Sequence, residues 1–277
     1  MKKILLLLNA MLLLVFANAQ TLSTPQPSPT QTVKQNFGTG SIELSYSRPS
    51  KKGRKIMGDL VPYGKVWRTG ANAATTLTFS DDVTIGGKEI KAGKYGLLTI
   101  PGEKKWTIII SKDTTVNQPA DYKPENDAVR LEADAMPLPF SIENFTIGFG
   151  DLTGSSCHIQ LMWENTYLHF PVTTGTDGKV MAQIDKAMNN DNRPYFSAAQ
   201  YYYENGKDLN QALTWVNKAL ETNRDAFWMY MLKARLHNKM GDKGNAKTAA
   251  NSVIEIAGKA KNDDYVKMAT DLLATLK

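Results

Sequence analysis

The chain has 277 residues, 42% apolar and 22% charged, a composition that excludes global disorder and leaves room for two cores. Its formal net charge is only +6, and no basic block is interleaved with aromatics, so a nucleic-acid surface is not expected. A single cysteine, Cys157, excludes an internal disulfide and leaves stability to packing.

The N-terminus reads as a targeting segment. Met1, Lys2 and Lys3 form a charged start, Ile4 to Phe16 is an apolar run broken only by Asn9 and Ala10, and Ala17-Asn18-Ala19 is a small-x-small cleavage signal. Residues 1–19 are therefore expected to be a cleaved signal peptide, and removing its two lysines lowers the charge to +4. No cysteine follows the run for a lipid anchor, and no later stretch is apolar enough to cross a membrane. The expected destination is the periplasm or the extracellular space, with no membrane span after cleavage. Residues 20–32, rich in Thr, Ser, Gln and Pro, read as a flexible leader.

From Val33 to Thr174 the apolar period is two. Ile42, Leu44 and Tyr46 alternate with Glu43, Ser45 and Ser47. Thr76–Phe79 and Val83–Ile85 are short strands, and Gly86-Gly87 predicts a tight hairpin turn because glycine tolerates positive φ. Tyr95–Ile100 should pair with Trp106–Ser111 across Pro101-Gly102-Glu103-Lys104. Ala128–Ala133, Ser141–Phe149, Ser156–Trp163 and Thr166–Val172 follow. Short strands about ten residues apart with turn signals between them predict an antiparallel β-sandwich or barrel over 33–174.

After Gly175-Thr176-Asp177-Gly178 the period becomes helical, with Val180, Ile184 and Met188 on one stripe. An internal repeat then appears. Asp208-Leu209-Asn210-Gln211-Ala212 recurs 34 residues later as Asp242-Lys243-Gly244-Asn245-Ala246, and Ala219-Leu220-Glu221 as Val253-Ile254-Glu255. Paired helices at this period resemble the tetratricopeptide repeat, so residues 179–277 are expected to form a stack of helical hairpins. The fold class is thus α+β in two domains.

The stretch from Ser47 to Asp113 is dense in Gly, Pro, Arg and Trp. Its motifs are Ser47-Arg48-Pro49-Ser50, Gly53-Arg54-Lys55-Ile56, Leu60-Val61-Pro62-Tyr63-Gly64, Trp67-Arg68-Thr69-Gly70-Ala71-Asn72, Ala92-Gly93-Lys94-Tyr95 and Ile100-Pro101 with Trp106. In that order they resemble an exported bacterial family known only as a domain of unknown function. The resemblance covers most of 33–173 and implies a β-rich exported domain, and it carries no activity.

The chemistry of these residues suggests a ligand site. Arg54 and Arg68 are planar permanent cations suited to a carboxylate, sulfate or phosphate. Tyr63, Trp67 and Trp106 offer flat apolar faces for a sugar or an aromatic ring, and Asn72 supplies a donor and an acceptor. The competing reading is structural: the arginines brace loop carbonyls and the tryptophans are core. No H-E-x-x-H, C-x-x-C or G-x-S-x-G occurs, and no cofactor or metal is indicated. Alternation places Cys157, Ile159, Leu161 and Trp163 on one face and His158 on the other, with His169 opposite Leu168 and Phe170. If the two flanking strands pair, His158 and His169 approach each other.

The leading expectation is an exported, non-catalytic binding or scaffold protein. The β-domain would hold a small polar, anionic or carbohydrate ligand, and the helical tail would contact a protein or peptide. Two alternatives stand beside it. One is an envelope or secreted hydrolase acting on a carbohydrate or ester through Arg54, Tyr63, Arg68 and His158. The other is a purely structural envelope protein.

Overall fold

A computed structural model describes residues 24–276, so the expected signal peptide lies outside the described residues. The chain divides into two units, one ending at Thr176 and one beginning at Asp177. The first is all β apart from two single-turn 3₁₀ helices. Its strands are β1 (Thr30–Phe37), β2 (Gly40–Ser47), β3 (Thr76–Phe79), β4 (Val83–Ile85), β5 (Lys88–Ile90), β6 (Gly93–Ile100), β7 (Lys105–Ser111), β8 (Asp127–Asp134), β9 (Met136–Gly150) and β10 (Ser156–Thr174).

They form two antiparallel sheets, in the orders β1-β2-β3-β6-β7-β8 and β5-β4-β10-β9. Alternation dictates the inner faces. Ile42, Leu44 and Tyr46 of β2 and Trp106, Ile108 and Ile110 of β7 share one buried cluster with Phe145, Ile147, Cys157, Ile159, Leu161 and Trp163 of the second sheet. The unit is therefore a sandwich. Tyr46 bridges the two layers, accepting the Ile147 N–H at 2.9 Å with a phenol whose pKa burial raises. The Cys157 thiol, fully buried, is pushed up to about 11 by the same desolvation, which makes it an inert core residue.

Gly86 (φ +56°) and Gly87 (φ +77°) form the β4–β5 turn, as their sequence predicts. β10 is bent back on itself. Nineteen extended residues would span roughly 60 Å, yet the Thr174 N–H reaches the Ser155 carbonyl at 2.9 Å. The run therefore doubles back at Glu164, whose φ is +53°. One arm pairs with β9, from His158↔Gly150 to Met162↔Thr146, and the other pairs with β4 through Val172↔Ile85.

Three boundaries differ from the sequence reading. β1 starts at Thr30, within the stretch read as a flexible leader. Its residues Thr-Gln-Thr-Val-Lys-Gln-Asn bury little, and the strand is held by its backbone pairing with β2, from Thr30↔Ser47 to Phe37↔Gly40. Composition sees side chains and misses that ladder. β9 begins at Met136 rather than Ser141, with Pro137 and Pro139 on a sheet edge where a missing N–H costs no ladder bond. The helical part begins at Thr176 rather than Lys179.

The second unit contains, among the described residues, α1 (Thr176–Met188), α2 (Tyr195–Glu204), α3 (Leu209–Thr222), α4 (Phe227–Lys239), α5 (Lys243–Lys259) and α6 (Asp263–Thr275). Asp208 caps α3 by accepting the N–H groups of Asn210 and Gln211, and Asp242 caps α5 by accepting that of Asn245. Asn262 does the same for α6 through Tyr265. The helix–helix cores rest on small residues: Ala199 and Ala212 in one cluster, Ala234, Ala250, Ala257 and Ala269 in the next. Asp177 in α1 accepts from Tyr201 at 2.9 Å and pairs with Lys207 at 2.8 Å, tying α1 to α2.

Candidate functional site

The loop from Arg48 to Thr75, between β2 and β3, is stitched to both sheets. On one side Trp67 exchanges two backbone hydrogen bonds with Thr99 of β6, at 2.7 and 3.0 Å, and Gly64 donates to Pro101 at 2.8 Å. On the other side Lys51 donates to Glu143 at 2.8 Å, and Phe145 of β9 donates to Pro49 at 2.9 Å. Arg48 adds Nε to the Phe145 carbonyl at 3.1 Å. Gly70 is required by close approach: a Cβ there would stand 2.9 Å from Thr75 Oγ1 and 3.1 Å from the Ser47 carbonyl.

Glu164, at the bend of β10, fixes the same loop. Its Oε2 accepts the N–H groups of Ile56 and Met57, both at 3.2 Å, and Oε1 pairs with Lys51 at 3.3 Å. Burial alone would raise this carboxyl. The two N–H donors and the lysine outweigh it, so its pKa sits below the ordinary value.

Between the loop and the sandwich opens a cleft of about 540 Å³. Its floor is aromatic: Trp67 and Trp163 stack with ring centroids 5.9 Å apart and planes 18° apart. Leu60, Val66 and Pro119 add apolar wall. Arg54, Lys65 and Arg68 supply its charge, and no lining residue is Asp, Glu, His or Cys.

Of the six residues singled out from the sequence, Arg54, Trp67 and Arg68 line this cleft, and the other three do not. Trp106 is 2% exposed and belongs to the core, edge-on to Trp67 at 6.2 Å. Asn72 donates to the Ser28 carbonyl at 2.9 Å from a left-handed backbone (φ +57°), which makes it a brace. Tyr63 is exposed and lies over Gly58, where a Cβ would meet its ring at 2.7 Å. The arginines also brace. Arg54 donates to the carbonyls of Lys51 and Ser50 at 3.0 and 2.7 Å, and Arg68 donates Nη1 to the Asn117 carbonyl at 2.8 Å. Trp67 donates Nε1 to the Gly70 carbonyl at 3.1 Å. The sequence does not single out Lys65 and Trp163 as site residues. Lys65 sits inside the Leu60–Arg68 run, and alternation turns Trp163 inward, yet no spacing rule says that the two meet.

His158 is elsewhere. It lies five residues before Trp163, roughly 17 Å along an extended strand, and points out of the sheet. There its Nδ1 meets Asp151 at 2.7 Å and its ring stands 4.6 Å from His169, as pairing of the two arms requires. Tyr167 stacks on His169 at 5.6 Å. The four residues of the hydrolase reading are therefore not brought together: Arg54 and Arg68 share the cleft, while Tyr63 and His158 are not among its lining residues. Among the described residues no group of three or more His, Cys, Asp or Glu is placed to hold a metal. No helix of the described residues is long and apolar enough to cross a membrane.

The helical unit has its own concavity, about 230 Å³, between α2, α4 and α6. Phe196, Tyr203, Trp228, Met231, Tyr265 and Met268 line it, with Arg235 and Glu204 supplying one charge of each sign.

No curated protein and no solved structure matches the chain. A family does: residues 28–172, slightly more than half of the sequence and nearly all of the sandwich, match the family described as "Protein of unknown function (DUF2911)", and the chain belongs to that family.

Proposed function

We propose that this is an exported binding protein whose β-unit holds a small anionic molecule with an apolar body, and whose helical unit, built from tetratricopeptide-like hairpins, contacts a protein or peptide. The observation that carries the first part is the cleft's composition. Three cations and no carboxylate surround a floor of stacked tryptophans. Such a surface attracts a negative charge and gains by covering its apolar area. The lining offers no carboxylate, imidazole or thiol to move a proton, which favours holding a ligand over transforming one. For the helical unit the support is the aromatic and methionine lining of its groove, a kind of surface enriched at protein interfaces.

A thermal-shift screen of the purified protein against sugars, organic acids and phosphates, alone and with apolar substituents, tests the cleft. At about 100 times Kd a ligand adds about 2.7 kcal/mol, or roughly 5–10 °C in Tm for a domain of this size. Anions with apolar bodies should raise Tm in the wild type and much less in Lys65→Ala. A shift produced by neutral sugars alone, equal in both proteins, would sink the reading.

A further inference from the structure

The guanidinium of Arg68 is only half engaged. Nη1 donates to the Asn117 carbonyl at 2.8 Å. Nε–H is buried without a hydrogen-bond partner, and among the described residues the Asn117 carbonyl, on Nη1, is the guanidinium's one acceptor. In a guanidinium Nη1 lies on the Cδ side, whereas Nε–H and Nη2 share the opposite edge and point the same way. That edge is a fork spaced to match the two oxygens of a carboxylate. Buried donors are normally satisfied, and Arg68 lines the cleft.

The neighbouring groups narrow the anion. Arg54 has spent its own Nε and Nη2 on the carbonyls of Lys51 and Ser50. In the loop backbone the Val61 N–H is engaged with Ile56 and the Trp67 N–H with Thr99. A phosphate dianion has three oxygens to satisfy, against the two donors on the Arg68 edge. One unpaired fork plus the Lys65 ammonium suits a single carboxylate. The partly buried indole of Trp67, stacked on Trp163, offers a flat apolar surface beside it.

We infer that the cleft takes a planar monocarboxylate, its two oxygens on the Nε–Nη2 edge of Arg68 and its apolar body against Trp67. This rests on the cleft being an anion site. Lys65 supplies long-range attraction, whereas Arg68 supplies geometry.

The test is a titration of the purified protein, followed by tryptophan fluorescence and by Tm, with naphthoate, naphthamide and naphthyl phosphate. Naphthoate should quench fluorescence, raise Tm and bind at least about tenfold more tightly than the isosteric amide and than the phosphate. Arg68→Lys keeps the charge and removes the fork, so naphthoate should weaken by about tenfold or more while the amide is unaffected. The three-ligand comparison on wild type decides the matter even if Arg68→Lys fails to melt cooperatively. If the phosphate matches or exceeds the carboxylate, or if Arg68→Lys leaves naphthoate affinity unchanged while Lys65→Ala lowers it, the carboxylate inference falls and the anion cleft stands. If none of the three binds the wild type, both fall.

Discussion

The cleft of the β-unit and the groove of the helical unit are both lined with aromatics, but the aromatics stand on different foundations. Trp163 is 2% exposed, and Trp67 packs on Trp106, Phe145 and Trp163 at centroid distances of 4.9–6.2 Å. These rings are the rim of a core, because two sheets packed about 10 Å apart need large side chains to fill the gap. In the helical unit the cores behind the groove are filled by alanines such as Ala234, Ala250 and Ala257, each fully buried. Helices that approach this closely leave the big side chains outside, and Trp228 stands 36% exposed. The floor of the cleft is part of the sandwich core, so packing holds it in place before any ligand arrives. The groove carries mixed charge where the cleft carries one sign.

The contrast can be broken most directly at its aromatics. Trp163→Ala should destabilise the β-unit by about 3–5 kcal/mol, the range for emptying a large core site, whereas Trp228→Ala should cost under about 1 kcal/mol. Urea denaturation of the two variants measures both. Equal losses would mean that the groove is as structural as the cleft.

Next in size is the clamp that holds the cleft loop. Glu164→Gln removes a carboxylate that accepts two backbone N–H bonds and pairs with Lys51, and should cost about 1.5–3 kcal/mol at neutral pH. The folded pKa of Glu164 is depressed, so its contribution is complete above the ordinary value of 4.5 and disappears as pH falls through the lower folded value. The gap in stability between wild type and variant should therefore close on acidification below pH 4.5. A gap that stays constant to pH 3 would show that the carboxylate's charge is not what holds the loop.

A smaller effect separates the two helix caps. Asp208 and Asp242 serve equivalent helix starts, but Asp242 also bonds His237 Nδ1 at 3.1 Å, and His237 is 7% exposed. Asp242→Ala should lower the Tm of the helical unit more than Asp208→Ala does, because it strands a buried imidazole as well as a helix end. Calorimetry that ranks the two in the reverse order would argue that His237 finds another partner.

The smallest expected change in stability is at the cleft mouth. Lys65 has no hydrogen bond or ion pair among the described residues, so Lys65→Ala should leave stability within about 0.5 kcal/mol of wild type. It should weaken anion binding, and the weakening should shrink as salt is raised, since a surface charge acts through a screened field. Salt-independent weakening would make Lys65 a direct contact instead.

Much of the scaffold is legible in the sequence. Alternation in Cys157–Trp163 placed each inward residue correctly because a strand has only two faces. Gly86-Gly87 marked its turn because few residues accept φ > 0 at two successive positions. The repeat at a 34-residue offset is plain in the sequence, and Asp208 and Asp242 prove to stand at two helix starts, each of which needs an acceptor for its first N–H groups. β1 escaped notice because its stability comes from backbone bonds that no side chain advertises.

The cleft itself was half visible. The residue types of Arg54, Trp67 and Arg68 suggested a grip for an anion, and Trp106, Asn72 and Tyr63 looked equally suitable. Only the tertiary structure separated them, by sending Trp106 inward, committing Asn72 to Ser28 and leaving Tyr63 over Gly58. It also brought in Trp163 and Pro119, one from the bend of β10 and one from the loop after β7. Local sequence determines which face a side chain takes and where the chain turns, since both depend on neighbours a few residues away. Which donors are claimed by carbonyls and which stay open depends on segments such as Asn117 and Arg68, 49 positions apart, closing on one another.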